Sequence, residues 1–226
     1  MSAVLTLSKL GPQELEKLIK ENIPRDALMA FDDAYKAGDK KCIAHAPKLF
    51  EQGHRPSGAG QIRHLFVNES FHEALAVHGA DPTPLSGTKL VVGKIGIFSI
   101  ARLNVPGHKW VRLKNSKTRR QLAQLNTVIE CTYIQDDMFE AEKTVSAGTI
   151  FILGVMDGWN ADAKITALTQ VMIALPAPDM ESWLYIKPLT EFLKLYDLPE
   201  NTNQQDGAVP KLKAQTKKQT GNDQGN

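Results

Sequence analysis

Between Pro82 and Ile129 the chain carries no Asp and no Glu, although nine Lys and Arg fall within the same 48 residues. Cations without neighbouring carboxylates are left to pair with a distant part of the chain or with an anionic partner. Cysteine is almost missing too. Cys42 and Cys131 have no metal-ligand spacing and cannot build a disulfide framework, which suits a reducing compartment. No apolar run approaches the ~20 residues that span a bilayer, and the start, MSAVLTLSKLGPQ, lacks the basic-then-apolar order of a secretory leader. These absences predict a cytoplasmic protein with no membrane partner. Also absent are the Gly-x-Ser-x-Gly elbow, the Walker loop, the Rossmann fingerprint, paired Cys-x-x-Cys and His-Glu-x-x-His. Gly93-Lys94-Ile95-Gly96 has only part of a phosphate loop and reads better as a bulge or turn.

What is present is ordinary in bulk and uneven in detail. Hydrophobic residues make up 42% and charged residues 23% of 226, as in soluble globular proteins large enough to bury a core. Residues 1–81 hold 10 basic and 11 acidic side chains, residues 82–129 nine and none, and residues 130–200 four and 12. Such blocks predict a positive side and a negative side.

Gly11-Pro12 starts a helix with Leu15, Leu18 and Ile19 at helical spacing. A second helix is expected from Pro24, with Leu28, Phe31 and Tyr35 on one face and Gly38 ending it. A third should span residues 40–50, disturbed by Pro47. After the loop 53–60 a longer helix, 61–78, closes at Gly79. Asp81-Pro82-Thr83-Pro84 stops the helical texture. From Lys89 the β-branched run reads as one bent strand or two short ones around Gly93 and Gly96. His108 to Lys114 alternates as a strand, and Asn115-Ser116 caps a helix running to about Asn126. Residues 127–134 read as a strand and 136–145 as a short acidic helix. Residues 149–155 and 165–175 read as a hairpin, 183–187 as a last strand, and Leu189, Phe192, Leu193 and Tyr196 as one stripe of a final helix. The tail beyond Pro199 has no aromatic and is expected to be disordered.

The fold class is therefore α+β: a helical N-terminal part followed by a mainly antiparallel sheet with one or two helices. The expected division is a helical region 1–80, a basic and acidic α+β domain 88–198, and a tail 199–226.

Binding a phosphate backbone needs fixed cations with no carboxylates competing for them. The candidates are Lys94, Arg102, His108, Lys109, Arg112, Lys114, Lys117, Arg119 and Arg120, with Lys89 upstream. Gln121 and Gln124 share a helix face with Lys117 and Arg120, and such side chains reach base edges as well as phosphate. The bland alternative is a solvated face paired with the acidic block. Five of six histidines (His45, His54, His64, His72, His78) lie in the helical part, and His64, Asn68 and His72 share a face. Glu69-x-x-His72 has the spacing of a di-metal carboxylate motif, but only one copy occurs, so core hydrogen bonding explains these residues better.

A nucleic-acid-binding protein, for duplex DNA first, is the expectation. A Mg²⁺-dependent endonuclease using Glu130 with Asp136 or Asp137 is the alternative; Mg²⁺ would be the cofactor in that case only. An Asp-x-Lys of nuclease type, Asp162-Ala163-Lys164, falls in a turn. A third reading is a protein-interaction module whose two faces bind another protein or a second copy as a homodimer.

Overall fold

The computed structural model describes residues 7–8, 11–107, 113, 115–130, 132–133 and 147–197. Helix α1 (Pro12–Asn22) begins where proline suits the first turn, and the Glu14 carboxylate accepts the Gly11 N–H at 2.6 Å. Its Leu15 and Ile19 are buried. Helix α2 (Arg25–Leu49) runs straight through Gly38, so the two helices expected over 24–50 are one. Gly38 serves a close approach instead. A Cβ there would stand 2.6 Å from Val67 Cγ2 and 2.8 Å from its Cα, so glycine lets α2 lie directly on helix α3 (Arg55–Val77). The expected loop 53–60 is mostly the first turns of α3, with Pro56 tolerated there because no i−4 partner is needed.

Among the described residues nine strands follow one another: β1 (Leu7–Ser8), β2 (Val92–Ile95), β3 (Phe98–Val105), β4 (Thr132–Tyr133), β5 (Gly148–Val155), β6 (Gly158–Asn160), β7 (Ile165–Ala167), β8 (Gln170–Pro176) and β9 (Trp183–Pro188). Five of them form the main sheet in the order β2-β3-β5-β8-β9, and β1 with β4 and β6 with β7 make two-stranded ladders. All neighbours in the main sheet are antiparallel except β3 and β5, which run parallel from Phe98↔Gly148 to Val105↔Val155. The β2–β3 turn has Gly96 at φ 56°, a conformation that costs glycine nothing. The hairpin expected from 149–175 is the β5–β8 pair, with the β6–β7 ribbon inserted between its strands. The fold is the α+β arrangement expected: three helices first, then a mostly antiparallel sheet, then a helix, α6 (Leu189–Leu193), continued by a 3-10 turn, Lys194–Tyr196.

Central strand β5 is buried at every position, as its continuous GTIFILGV run requires when both faces are covered. Phe98, Ile100, Ile150, Ile152 and Ile173 face α1, α2, α3 and α6, and share one cluster with Leu28, Phe31, Phe71 and Phe192. The helical segment and the sheet thus contribute to the same core. Ala101, Leu103, Phe151 and Leu153 point to the other face, under helix α4 (Lys117–Gln124) and Leu113. A parallel pair needs a long crossover, and here that connection is 106–147, whose described helix α4 brings Lys117, Arg119 and Arg120 to the face opposite α1–α3.

Residues 127–134 are not one strand. Helix α5 (Thr127–Glu130) precedes β4. The run Thr127-Val128-Ile129 has strand propensity, but buried Asn126 binds Thr149 and Pro176 through three hydrogen bonds of 2.6–3.1 Å and turns the chain there. Ile129 is buried in the helix-side cluster, so tertiary packing overrides local preference. The expected acidic helix 136–145 and the tail after Pro199 lie outside the described residues.

Candidate nucleic-acid interface

Helix α4 buries Ala123 and half-buries Leu122 against the sheet, which leaves Lys117, Arg120, Gln121 and Gln124 exposed on the opposite side. The spacing of these four residues places them together because positions three and four apart share a helix face. Lys94 is exposed on edge strand β2 and, by strand alternation from Val92, points to the same side of the sheet as α4. His108, Lys109, Arg112 and Lys114 lie outside the described residues. Of the nuclease candidates, Asp136 and Asp137 lie outside them too; Glu130 ends α5, and its side chain is not among those described. No group of three His, Cys, Asp or Glu able to hold a metal ion occurs among the described residues.

Arg102 is a correction. The charge pattern groups it with the surface cations, but β3 points it at the helices, along with Phe98 and Ile100, and it is 1% exposed. Its Nε donates to Asn68 Oδ1 at 2.8 Å, Nη1 to Asn104 Oδ1 at 3.1 Å, and Nη2 to the His64 carbonyl at 2.6 Å. The guanidinium is therefore bound by neutral acceptors and is out of reach of a nucleic acid. His64 and Asn68 do share a helix face, as their spacing requires; the face is turned to Arg102 rather than to a metal.

Arg102 Nη2 also lies 2.9 Å from His64 Nδ1. An arginine only donates, so Nδ1 accepts from Arg102, and Nε2 on the far side of the ring lies 3.2 Å from the Asn68 amide nitrogen. Burial first, then Arg102, holds His64 below the usual histidine range; the Thr88 backbone pulls the other way, and Arg119 adds to the lowering. Asn68 Nδ2 then donates to the Lys89 carbonyl, at 3.2 Å, which ties α3 to the loop before β2.

Above this network lies a cavity of about 620 Å³. Loop 83–90 lines one side with Thr83, Ser86, Thr88 and Lys89; Ser116, Thr118 and Arg119 at the start of α4 line another; His64 completes it. Every lining residue except His64 comes from the carboxylate-free stretch, whose two ends meet here, and none is an Asp or Glu. Arg119 is half-buried, and burial lowers its pKa with no described acidic neighbour to offset it. Among the described residues, the ion pairs join other parts of the chain, such as Arg63 with Asp39 and Lys187 with Glu16. None involves Lys89, Lys94, Arg102, Lys117, Arg119 or Arg120.

The sequence does not single out His64 or the 83–90 loop as binding residues. The available signal was the cluster of hydroxyls Thr83, Ser86 and Thr88 beside Lys89, in a segment that reads first as a helix breaker. Comparison with protein-family models, with curated proteins and with solved structures gives no match to this chain.

Proposed function

We propose that this protein binds nucleic acid, duplex DNA first, through the exposed face of α4 and the rim of the adjoining cavity. The observation that carries the reading is that, among the described residues, no ion pair involves the cations of a 48-residue segment without carboxylates. Charge that no described carboxylate neutralises is available to phosphates. Lys117 and Arg120 supply sequence-independent contacts, and Gln121 and Gln124 beside them are of the type that reads base edges.

The test is fluorescence anisotropy of the full chain with labelled duplex DNA, single-stranded DNA and RNA over a salt series, with and without Mg²⁺. Duplex binding at ~50 mM salt, weakening steeply as salt rises, is expected. Changing Lys117 and Arg120 together to Gln should flatten the log–log salt slope by about 2, because each phosphate no longer neutralised removes about 0.9. The stability cost should stay within about 0.5 kcal/mol, since both side chains are exposed. Absence of binding to all three at ~50 mM salt, where electrostatic association is strong, overturns the reading.

A further inference from the structure

We infer that the cavity between loop 83–90 and the start of α4 takes a phosphate monoester, either the phosphate at the end of a nucleic-acid strand or that of a free mononucleotide. Only the first of these sources rests on the nucleic-acid reading. A monoester presents three acceptor oxygens and close to two negative charges, and it enters a concave site end-on, whereas an internal phosphodiester lies along a surface.

The donors converge from two sides, loop 83–90 and the start of α4. Arg119 and Lys89 bring charge from α4 and the loop. Ser116 occupies the N-cap position of α4 yet caps nothing with its hydroxyl, so both it and the first backbone N–H groups of the helix are available to an anion. Thr118 adds a second hydroxyl from the helix.

Two further features favour an anion over water alone. Arg119 is half-buried, and no described carboxylate lines the cavity beside it; a desolvated guanidinium without a counter-charge is unfavourable until an anion joins it. Arg102, buried behind His64, is a second positive charge with only neutral partners. Its field acts through a low-dielectric interior and raises the potential where the phosphate would sit. Thr83 plays a different part: its hydroxyl accepts the Val92 N–H at 3.0 Å and so holds the loop to β2.

The full chain is titrated by anisotropy with one short single strand in three forms: 5′-phosphorylated, 3′-phosphorylated, and hydroxyl at both ends. Calorimetry with AMP and with adenosine runs in parallel. One end-phosphorylated strand should bind about tenfold tighter than the hydroxyl form, the ratio expected from a charge-assisted contact of about 1.4 kcal/mol. Arg119→Gln should bring that ratio close to one while leaving hydroxyl-strand affinity little changed. Lys89→Gln, at an exposed loop position, should lower it as well and guards against a folding defect in the first variant. AMP binding without adenosine binding, with none of the strands bound, supports the cavity as a mononucleotide site and overturns the nucleic-acid reading instead. Equal affinity for all three strands with no AMP binding overturns the inference and leaves that reading standing. So does a phosphate preference that survives both substitutions, because the phosphate would then be held elsewhere.

Discussion

Among the described residues two arginines are almost completely buried, and they are buried in different ways. Arg63 on α3 faces Asp39 on α2, Nε to Oδ1 at 2.6 Å, and its other nitrogens reach the Thr166 hydroxyl and carbonyl. Asp39 uses its second oxygen to accept the Leu168 N–H at 3.1 Å. The pair is neutral overall and clamps the β6–β7 ribbon to the helices. Arg102 sits among Asn68, Asn104 and His64 with no carboxylate, and it lies behind a cavity that also has none. A buried charge that is matched reads as architecture. One that is left positive next to an open site points outward, to a ligand.

Removing one arginine at a time should separate the two. Arg63→Met leaves Asp39 buried and uncompensated, and should destabilise the fold by about 3–5 kcal/mol in urea unfolding. Arg102→Met leaves only neutral acceptors unpaired, and loss of the desolvated charge offsets part of that, so the cost should be smaller, roughly 1–3 kcal/mol. The ligand effect should run the other way: Arg102→Met weakens phosphate binding, while Arg63→Met, assayed where it remains folded, does not. If the two variants lose equal stability and neither changes binding, the contrast is only structural.

Tyr35 sharpens the comparison from the core side. Its hydroxyl lies 2.8 Å from the carbonyls of Leu103 and Ile152, linking α2 to the parallel β3–β5 pair beside Arg102. Burial pushes its pKa up to about 12, with Arg102 opposing the rise. A raised folded value means that the stabilisation is complete below pH 10 and is lost as pH climbs toward 12. Tyr35→Phe should cost about 1 kcal/mol at neutral pH, and calorimetric melts should show a shallower alkaline decline than wild type; an unchanged decline would assign it to other groups, such as Tyr196.

The smallest effect belongs to His64. Its folded pKa lies below the ordinary 6.5, so the unfolded chain takes up the proton first, and its contribution is present above pH 6.5 and lost as pH falls below it. His64→Gln should flatten the stability curve on the acid side of that value. A curve identical to wild type would mean that the ring is not held neutral by its neighbours.

Most of the secondary structure is legible in the sequence because its signals are local. Pro12 and Pro188 start helices, Gly96 turns a hairpin, and the alternation through β8 and the stripe through Leu189 and Phe192 match what is buried. The misreadings have a common cause. Gly38 resembles a helix stop and the 127–129 run resembles a strand, but each is decided by what packs on it: Val67 in the first case, the Asn126 anchor and the helix-side core in the second. Arg102 is misplaced for the same reason. Net charge counts a residue without knowing which side of the strand it occupies.

By itself, then, the sequence determined the α+β class, the order of most elements and the existence of a segment whose cations have no local counter-charge, since propensity, periodicity and charge are read over a few neighbouring residues. Only the tertiary structure decided which of those cations face solvent, that Arg102 turns inward to His64 and Asn68, and that loop 83–90 and the start of α4 close around one cavity. Those outcomes bring together residues 30 or more positions apart, Asn68 and Arg102 by a hydrogen bond and Lys89 and Arg119 around one cavity, and no local pattern carries them.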